Sequence, residues 1–260
     1  VANYLDDDKL DEFSQFKIAS ITKIFASYLI LILAEKGLLK TSDKVDKYIK
    51  STKKNDFSKI TILNLMNHRS NLQKDVFLET YEKFTSISSF IHKILQKKLF
   101  MKSTTSKPTY SYSNLGYILL GYIIEMVTDA TYIEAFDKFV FKPLKLKHTT
   151  FGEKLNVKSF YLHSKKLKKQ KILEISHFSS TAYGMTSCIA DFITFSENIK
   201  NLSKKSKNTL KKLYFCVKGD GLIIEHNGGF DGISANLSIQ FDWDFVMHAI
   251  SAELITNHLF

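Results

Sequence analysis

The sequence predicts an α+β chain: a mainly helical lobe over roughly residues 17–200, then antiparallel strands over 210–260, together forming one domain. Three observations predict it. Residues 16–39, FKIASITKIFASYLILILAEKGLL, are good helix formers, apolar all round, with Gly37 as a stop signal. Helical periodicity returns in 114–127, NLGYILLGYIIEMV. From Leu210 onward the pattern changes to short apolar runs split by glycine- and aspartate-rich turns.

The elements follow in chain order. Residues 1–16 are acidic and polar, with Asp6, Asp7 and Asp8 in a row. The segment after them reads as a central buried helix. Its longest apolar run, Ile24 to Ala34, covers about 11 residues, well short of the roughly 20 a bilayer span needs. Residues 61–67 read as a short helix leading into a loop at 68–71, and 84–98 as a further helix. Residues 102–113, rich in Ser, Thr and Tyr and holding Pro108, read as a loop. A helix over 133–141 is expected to end at Pro143. Strands are expected at 214–217, 222–226, 233–241 and 245–252. The turns between them are Gly219-Asp220-Gly221, Asn227-Gly228-Gly229 and Asp242-Trp243-Asp244.

Composition narrows the function classes. Of 260 residues, 44% are hydrophobic and 24% charged, and the chain has only two prolines and ten glycines, so it is neither linker-rich nor disordered. The net charge of +11 would suit a polyanion: nucleic acid, anionic lipid or an anionic cell-wall polymer. The lysine clusters at 165–171 and 204–212 have no nucleic-acid motif around them and read as solvated loops and helix faces. No nucleic-acid partner is expected; peripheral contact with an anionic envelope surface is retained as an expectation. Cys188 and Cys216 form neither a disulfide framework nor a metal cluster, and whether they pair is left open. No signal peptide is seen, and a chain starting at Val1 without Met reads as a trimmed form.

Three short motifs carry candidate chemistry. Ser20-Ile21-Thr22-Lys23 opens the apolar helix, where residues three apart share a face. A serine hydroxyl is a weak nucleophile until a base takes its proton, and a lysine in an apolar setting can be that base. The same spacing occurs at Ser14/Lys17 and Ser51/Lys54, but only Ser20 starts a long apolar helix. Tyr112-Ser113-Asn114 lies at a loop-to-helix junction: a tyrosine near a lysine can relay a proton, and the asparagine amide can orient a carbonyl. Alone, the pair would read as a capping Asn beside a packed Tyr. His226-Asn227-Gly228-Gly229 follows a predicted strand. There the glycines let a substrate backbone approach, the Gly229 N–H could join that of Ser20 as an oxyanion hole, and His226 could contact a carboxylate or polarise the leaving group. Alone, that segment would read as a turn.

Taken in order, Ser-x-x-Lys, Tyr-x-Asn and basic-x-Gly resemble the signature of the penicillin-binding protein and class C β-lactamase superfamily. FKIASITK resembles its nucleophile segment, YSYSNLGYILLGYIIEMVT and KPLKLKHTTF its central segments, and EHNGGFDGISANLSI its sheet strand and turn. The resemblance spans roughly residues 16–250. It implies a β-lactamase/transpeptidase-like fold, an antiparallel sheet flanked by helices beside a helical lobe. With only about 16 residues before the nucleophile helix, the N-terminal strands are expected to be missing or shortened. It implies a serine hydrolase with Ser20, Lys23 and Tyr112 catalytic and with Asn114, His226, Gly228 and Gly229 binding substrate. No metal or cofactor is implied. The implied substrate is a small molecule or peptide with a carbonyl next to a D-amino acid or in a lactam. Three readings stay open: a D-alanyl-D-alanine carboxypeptidase, a small-acyl esterase or weak β-lactamase, and an impaired binding homologue. So does the choice of Lys23 or Tyr112 as main base. Export to the periplasm or cell surface is implied by the resemblance alone. Two departures stand out: NHRSNL where many members have His-Thr-Ser-Gly-Leu, and Tyr183 in place of one glycine of a usual pair.

Overall fold

The apolar segment that follows Lys17 becomes the central helix of the protein. In a computed structural model, residues 11–50, 57–72, 86–97, 109–152, 161–163, 166–168, 180–218, 222–230, 233–242 and 245–249 are described. A 3-10 turn, Ala19–Ile21, leads into α1 (Thr22–Glu35). Buried residues run without a break from Thr22 to Leu31, so α1 presents no polar face over three turns. Ile24, Phe25, Leu29 and Ile30 are each essentially inaccessible, worth roughly 2 kcal/mol apiece in apolar burial. Gly37 ends the helix with φ at 75°. Its N–H donates to the Ala34 carbonyl (3.1 Å), and Leu38 N–H donates to the Leu33 carbonyl (3.0 Å).

Further helices follow α1, the longest of them 15 residues. α2 (Ile62–Met66) starts from a capping box in which Thr61 and Asn64 bond each other's backbone N–H. α3 (Ile87–Lys97) and α4 (Asn114–Thr128) follow; Ser113 caps α4 by accepting from Gly116 N–H (3.1 Å). Gly121 of α4 permits a close crossing, because a Cβ there would stand 2.6 Å from the Thr181 side chain. α5 (Tyr132–Phe136) runs into a π-helical stretch, Asp137–Phe141, and a last α turn, Lys142–Leu144. The expected stop at Pro143 is therefore corrected. The proline sits at the start of that last turn, where its missing N–H is tolerated, and Lys145 closes the run in the left-handed region.

Two-residue strands fix the stretch just before α1. β1 (Phe16–Lys17) and β2 (Thr150–Phe151) flank β5 (Met185–Ser187) antiparallel, with Lys17 opposite Thr186 and Phe151 opposite Met185. Between them in sequence, β3 (Tyr161–His163) and β4 (Lys166–Lys168) form a hairpin, and α6 (Ser180–Tyr183) precedes β5. α7 (Ile189–Ile199) and α8 (Lys204–Leu210) then lead to the larger sheet. Lys204, Lys205, Lys211 and Lys212 are exposed around α8. Cys188 and Cys216 are free thiols.

The larger sheet is an antiparallel meander, β6 (Cys216–Lys218), β7 (Leu222–Phe230), β8 (Ile233–Asp242) and β9 (Phe245–Ala249). Two expectations change here. Tyr214 lies ahead of β6 rather than in it. Asn227-Gly228-Gly229 is strand, not turn, paired to Asn236, Ala235 and Ser234. The glycine pair reads locally as a turn, but nine consecutive pairings with β8 hold it extended. The Gly219-Asp220-Gly221 turn, the Trp243-Asp244 turn, residues 250–252 and Ser51/Lys54 lie outside the described residues. Within the described residues the larger sheet takes no strand from ahead of Ser20; that segment supplies β1 to the small sheet instead. Among the described residues no helix is long and apolar enough to cross a membrane.

Candidate active site

Ser20 occupies the 3-10 turn at the head of α1, half-buried, with Lys23 one turn on. The turn is anchored on both sides. Ile18 N–H donates to the Met185 carbonyl (3.1 Å), and Met185 N–H donates to Thr22 Oγ1 (3.3 Å). Ala19 is held at φ 43°, a region costly for a residue with a Cβ. Strain of this kind persists only where neighbours over-determine the backbone, as the Met185 contacts do here.

The three catalytic candidates meet. Ser20 Oγ shares a hydrogen bond of 2.8 Å with the Tyr112 hydroxyl and accepts one of 2.9 Å from Lys23 Nζ. Lys23 is fully buried, and its ammonium also donates to the Ala182 carbonyl at 2.7 Å. Three ring faces surround it, those of Tyr112, Tyr117 and Tyr183, at 5.0, 5.6 and 5.9 Å from Nζ to centroid. Tyr183, the unexpected residue in a glycine's place, is thus a wall of the lysine's cage.

Asn114 stands at the first position of α4, one residue beyond the Ser113 cap, so the helix start fixes where it projects. On the opposite wall β7 outruns β6, whose pairing stops at Ile224, and packs its free edge on the Ala19–Ile21 turn. A Cβ at Gly228 would come within 2.3 Å of the Ile18 carbonyl oxygen, so only glycine lets the strand lie this close to the Ser20 backbone. A Cβ at Gly229 would meet nothing within 4 Å, which leaves that position facing open space.

Both ring nitrogens of His226 are engaged within the protein. Nδ1 donates to the Asn227 carbonyl (2.7 Å), so the neutral ring carries its proton there, and Nε2 accepts from the Tyr214 hydroxyl (2.6 Å). Burial, with the Lys23 charge adding, pushes its pKa down to about 4, so the ring is uncharged at neutral pH.

Two residues of the site were not picked out as functional from sequence. His68, at φ 53°, holds both neighbours of Tyr112: its carbonyl accepts from Ser111 N–H (2.7 Å) and its Nδ1 from Ser113 N–H (3.0 Å). Its ring lies 4.3 Å from that of Tyr112 and 4.3 Å from that of Tyr214. Burial first, then the charge of Lys23, brings the His68 pKa down to about 3. The signal for it was NHRSNL itself, noted only as a departure. Asn71 in that segment takes φ 54°, a left-handed conformation that asparagine tolerates better than most residues. Tyr214, the second, has no local signal at all.

A family model described as Beta-lactamase matches residues 1–219 of this arrangement. The chain belongs to the β-lactamase family. Among curated relatives, Protein flp of Staphylococcus aureus strain MW2 is 34% identical over 158 residues, 58% of this chain and 31% of that protein. The chain thus matches about a third of the length of that relative. Among solved structures, FmtA from Staphylococcus aureus superposes with a TM-score of 0.74 at 22% identity, covering 93% of this chain and 71% of that one. D-amino acid amidase from Ochrobactrum anthropi superposes with a TM-score of 0.73 at 18% identity, over 90% of this chain and 76% of its own. These likenesses establish the serine β-lactamase and penicillin-binding protein fold for this family member, with helices around small antiparallel sheets.

Proposed function

We propose that this β-lactamase family chain is a serine acyl hydrolase that forms an acyl-enzyme at Ser20, acting on peptides, amides or esters of D-amino acids. One observation carries the reading: Ser20 Oγ lies between the Tyr112 hydroxyl and Lys23 Nζ at 2.8 and 2.9 Å. That is hydrogen-bond reach for the two groups able to take the serine proton and return it.

In the proposed cycle, the Tyr112–Lys23 pair, poised with one proton fewer than phenol plus ammonium, takes the Ser20 proton as Oγ attacks the substrate carbonyl carbon. The N–H groups of Ser20 and Gly229 bond the oxyanion, with β7 held at that distance by Gly228. The tetrahedral intermediate collapses, the carbonyl carbon's bond to the leaving group breaks, and the withdrawn proton passes to the leaving group. Asn114 orients the acyl portion. Water, deprotonated by the same pair, then cleaves the Ser20 ester. The amidase among the structural neighbours is in keeping with a D-amino-acid substrate, and the cationic surface with a location facing anionic envelope polymers.

A small-acyl esterase is the second reading. The engagement of both His226 nitrogens favours it over a D-alanyl-D-alanine carboxypeptidase. Intact mass after incubation with a penicillin and, separately, with an activated D-alanine ester tests the proposal. An adduct or ester turnover in the parent, absent in Ser20→Ala, is expected. Equal turnover by Ser20→Ala refutes the nucleophile.

A further inference from the structure

From the geometry around the third motif, and resting on the acyl-hydrolase reading above, we propose that Tyr214 and the Asn227 carbonyl hold both nitrogens of His226 inside the protein, so that the cleft takes acyl donors whose leaving group carries no carboxylate. A leaving group ending in a carboxylate needs a cation or a free donor beside the strand edge to replace its lost hydration. At this position the imidazole has neither to give. Its one N–H is spent on the Asn227 carbonyl at 2.7 Å, and its lone pair is covered by the Tyr214 hydroxyl at 2.6 Å. The residue is only 9% exposed.

The lock is built from several elements. Tyr214 precedes β6, and its ring stands 4.3 Å from that of His68, in the loop after α2. Its hydroxyl also reaches that of Tyr117 on α4, which in turn bonds Ser27 of α1 at 3.1 Å and the Met66 carbonyl at 3.0 Å. Burial keeps the Tyr214 phenol protonated far beyond neutral pH, so it remains a donor to His226. The charged and titratable groups that bear on His226 are Lys23 from α1, His68 from the loop after α2, and Tyr214. Lys23 opposes a positive imidazole, His68 is itself uncharged at neutral pH, and Tyr214 caps the lone pair. On its strand-partner side stands Leu237, which offers no charge. Protonating His226 would require Tyr214 to turn its hydroxyl from donor to acceptor inside a packed tyrosine cluster.

The test uses two depsipeptides that differ only in the leaving group, N-acetyl-D-alanyl-D-lactate with a free carboxylate and the same compound as its C-terminal amide. Alongside, the histidine ring signals of isotope-labelled protein are followed by NMR against pH, with His226→Gln assigning the resonance. The parent should cleave the amide form with a kcat/KM at least tenfold above that of the carboxylate form at pH 7. Its His226 should show the Nδ1–H tautomer and no titration above pH 5. Tyr214→Phe keeps the ring packing and removes the donor. It should leave the His226 titration low, because burial and the Lys23 charge remain, change the chemical shift of Nε2 as that nitrogen loses its partner, and narrow the substrate ratio at least threefold at pH 6. A parent that prefers the carboxylate form, or a His226 that titrates in its ordinary range, overturns the proposal. If neither compound is cleaved, the acyl-hydrolase reading fails on its own, and the imidazole titration still decides whether the lock exists.

Discussion

The two walls of the cleft handle buried polarity in opposite ways. On the helical wall, Lys23 is sealed from water yet turns one of its hydrogen bonds outward, onto the half-buried Ser20 hydroxyl. On the sheet wall, His226 is almost as buried but turns both of its nitrogens inward. Burial alone therefore does not say whether a polar group is poised for chemistry. What matters is whether its last free valence faces the substrate or the protein. The helical wall spends its polar groups on proton movement, whereas the sheet wall contributes a backbone edge and shape.

The sharpest way to break this contrast is on the helical wall. Ser20→Ala should lower acylation by at least about 10⁴-fold while leaving the thermal transition unchanged, read by intact mass and by calorimetry. Lys23→Ala should slow acylation by roughly 10²–10⁴-fold. A rate within a few-fold of the parent would remove the lysine from the proton path and leave Tyr112 as the base. The sheet wall should answer to shape instead. Gly228→Ala places a Cβ 2.3 Å from the Ile18 oxygen, so β7 or the Ser20 turn must shift. A displacement of that size should cost about 100-fold in kcat, with substrate binding less affected. If Gly228→Ala is as active as the parent, β7 does not set the position of the oxyanion.

The smallest expected effect is on stability against pH. His68 and His226 both have folded-state pKa values below the unfolded one, about 3 and 4 against 6.5. The unfolded chain therefore binds more protons between pH 6.5 and 4, and stability falls as pH drops through that window. Above pH 6.5 the contribution is complete. Each histidine adds a slope of at most about 1.4 kcal/mol per pH unit. Urea denaturation at pH 7, 6 and 5 should show the fall, and His226→Gln should remove about half of it. An unchanged slope would mean that His226 takes up its proton without unfolding, contrary to the closed sheet wall.

The contrast also explains what was legible in the sequence. Ser20, Lys23, Tyr112 and Asn114 are recognisable because the chemistry fixes residue types at short spacings, three apart on a helix or two apart at a helix start. The central helix was legible from an apolar run that no surface helix carries. His68 and Tyr214 act through contacts with residues 45 and 12 positions away, which no local pattern encodes. The Asn227-Gly228-Gly229 segment misled for the opposite reason. Its local preference for a turn is genuine, but it is overridden by pairing with β8, a partner that only the folded chain supplies. Pro143 misled likewise, since a proline stops a helix at one position and opens a turn at another.

The tyrosine cage has one more consequence, in reagent chemistry. The chain is rich in lysine, and residues such as Lys204, Lys205, Lys211 and Lys212 stand open to solvent. An acylating or carbamylating label would consume these amines first, while Lys23, with no exposed surface, would react only when the surrounding core opens. The pace at which Lys23 is labelled is thus a clock for the opening of the helical lobe, and it runs whether or not any substrate is known.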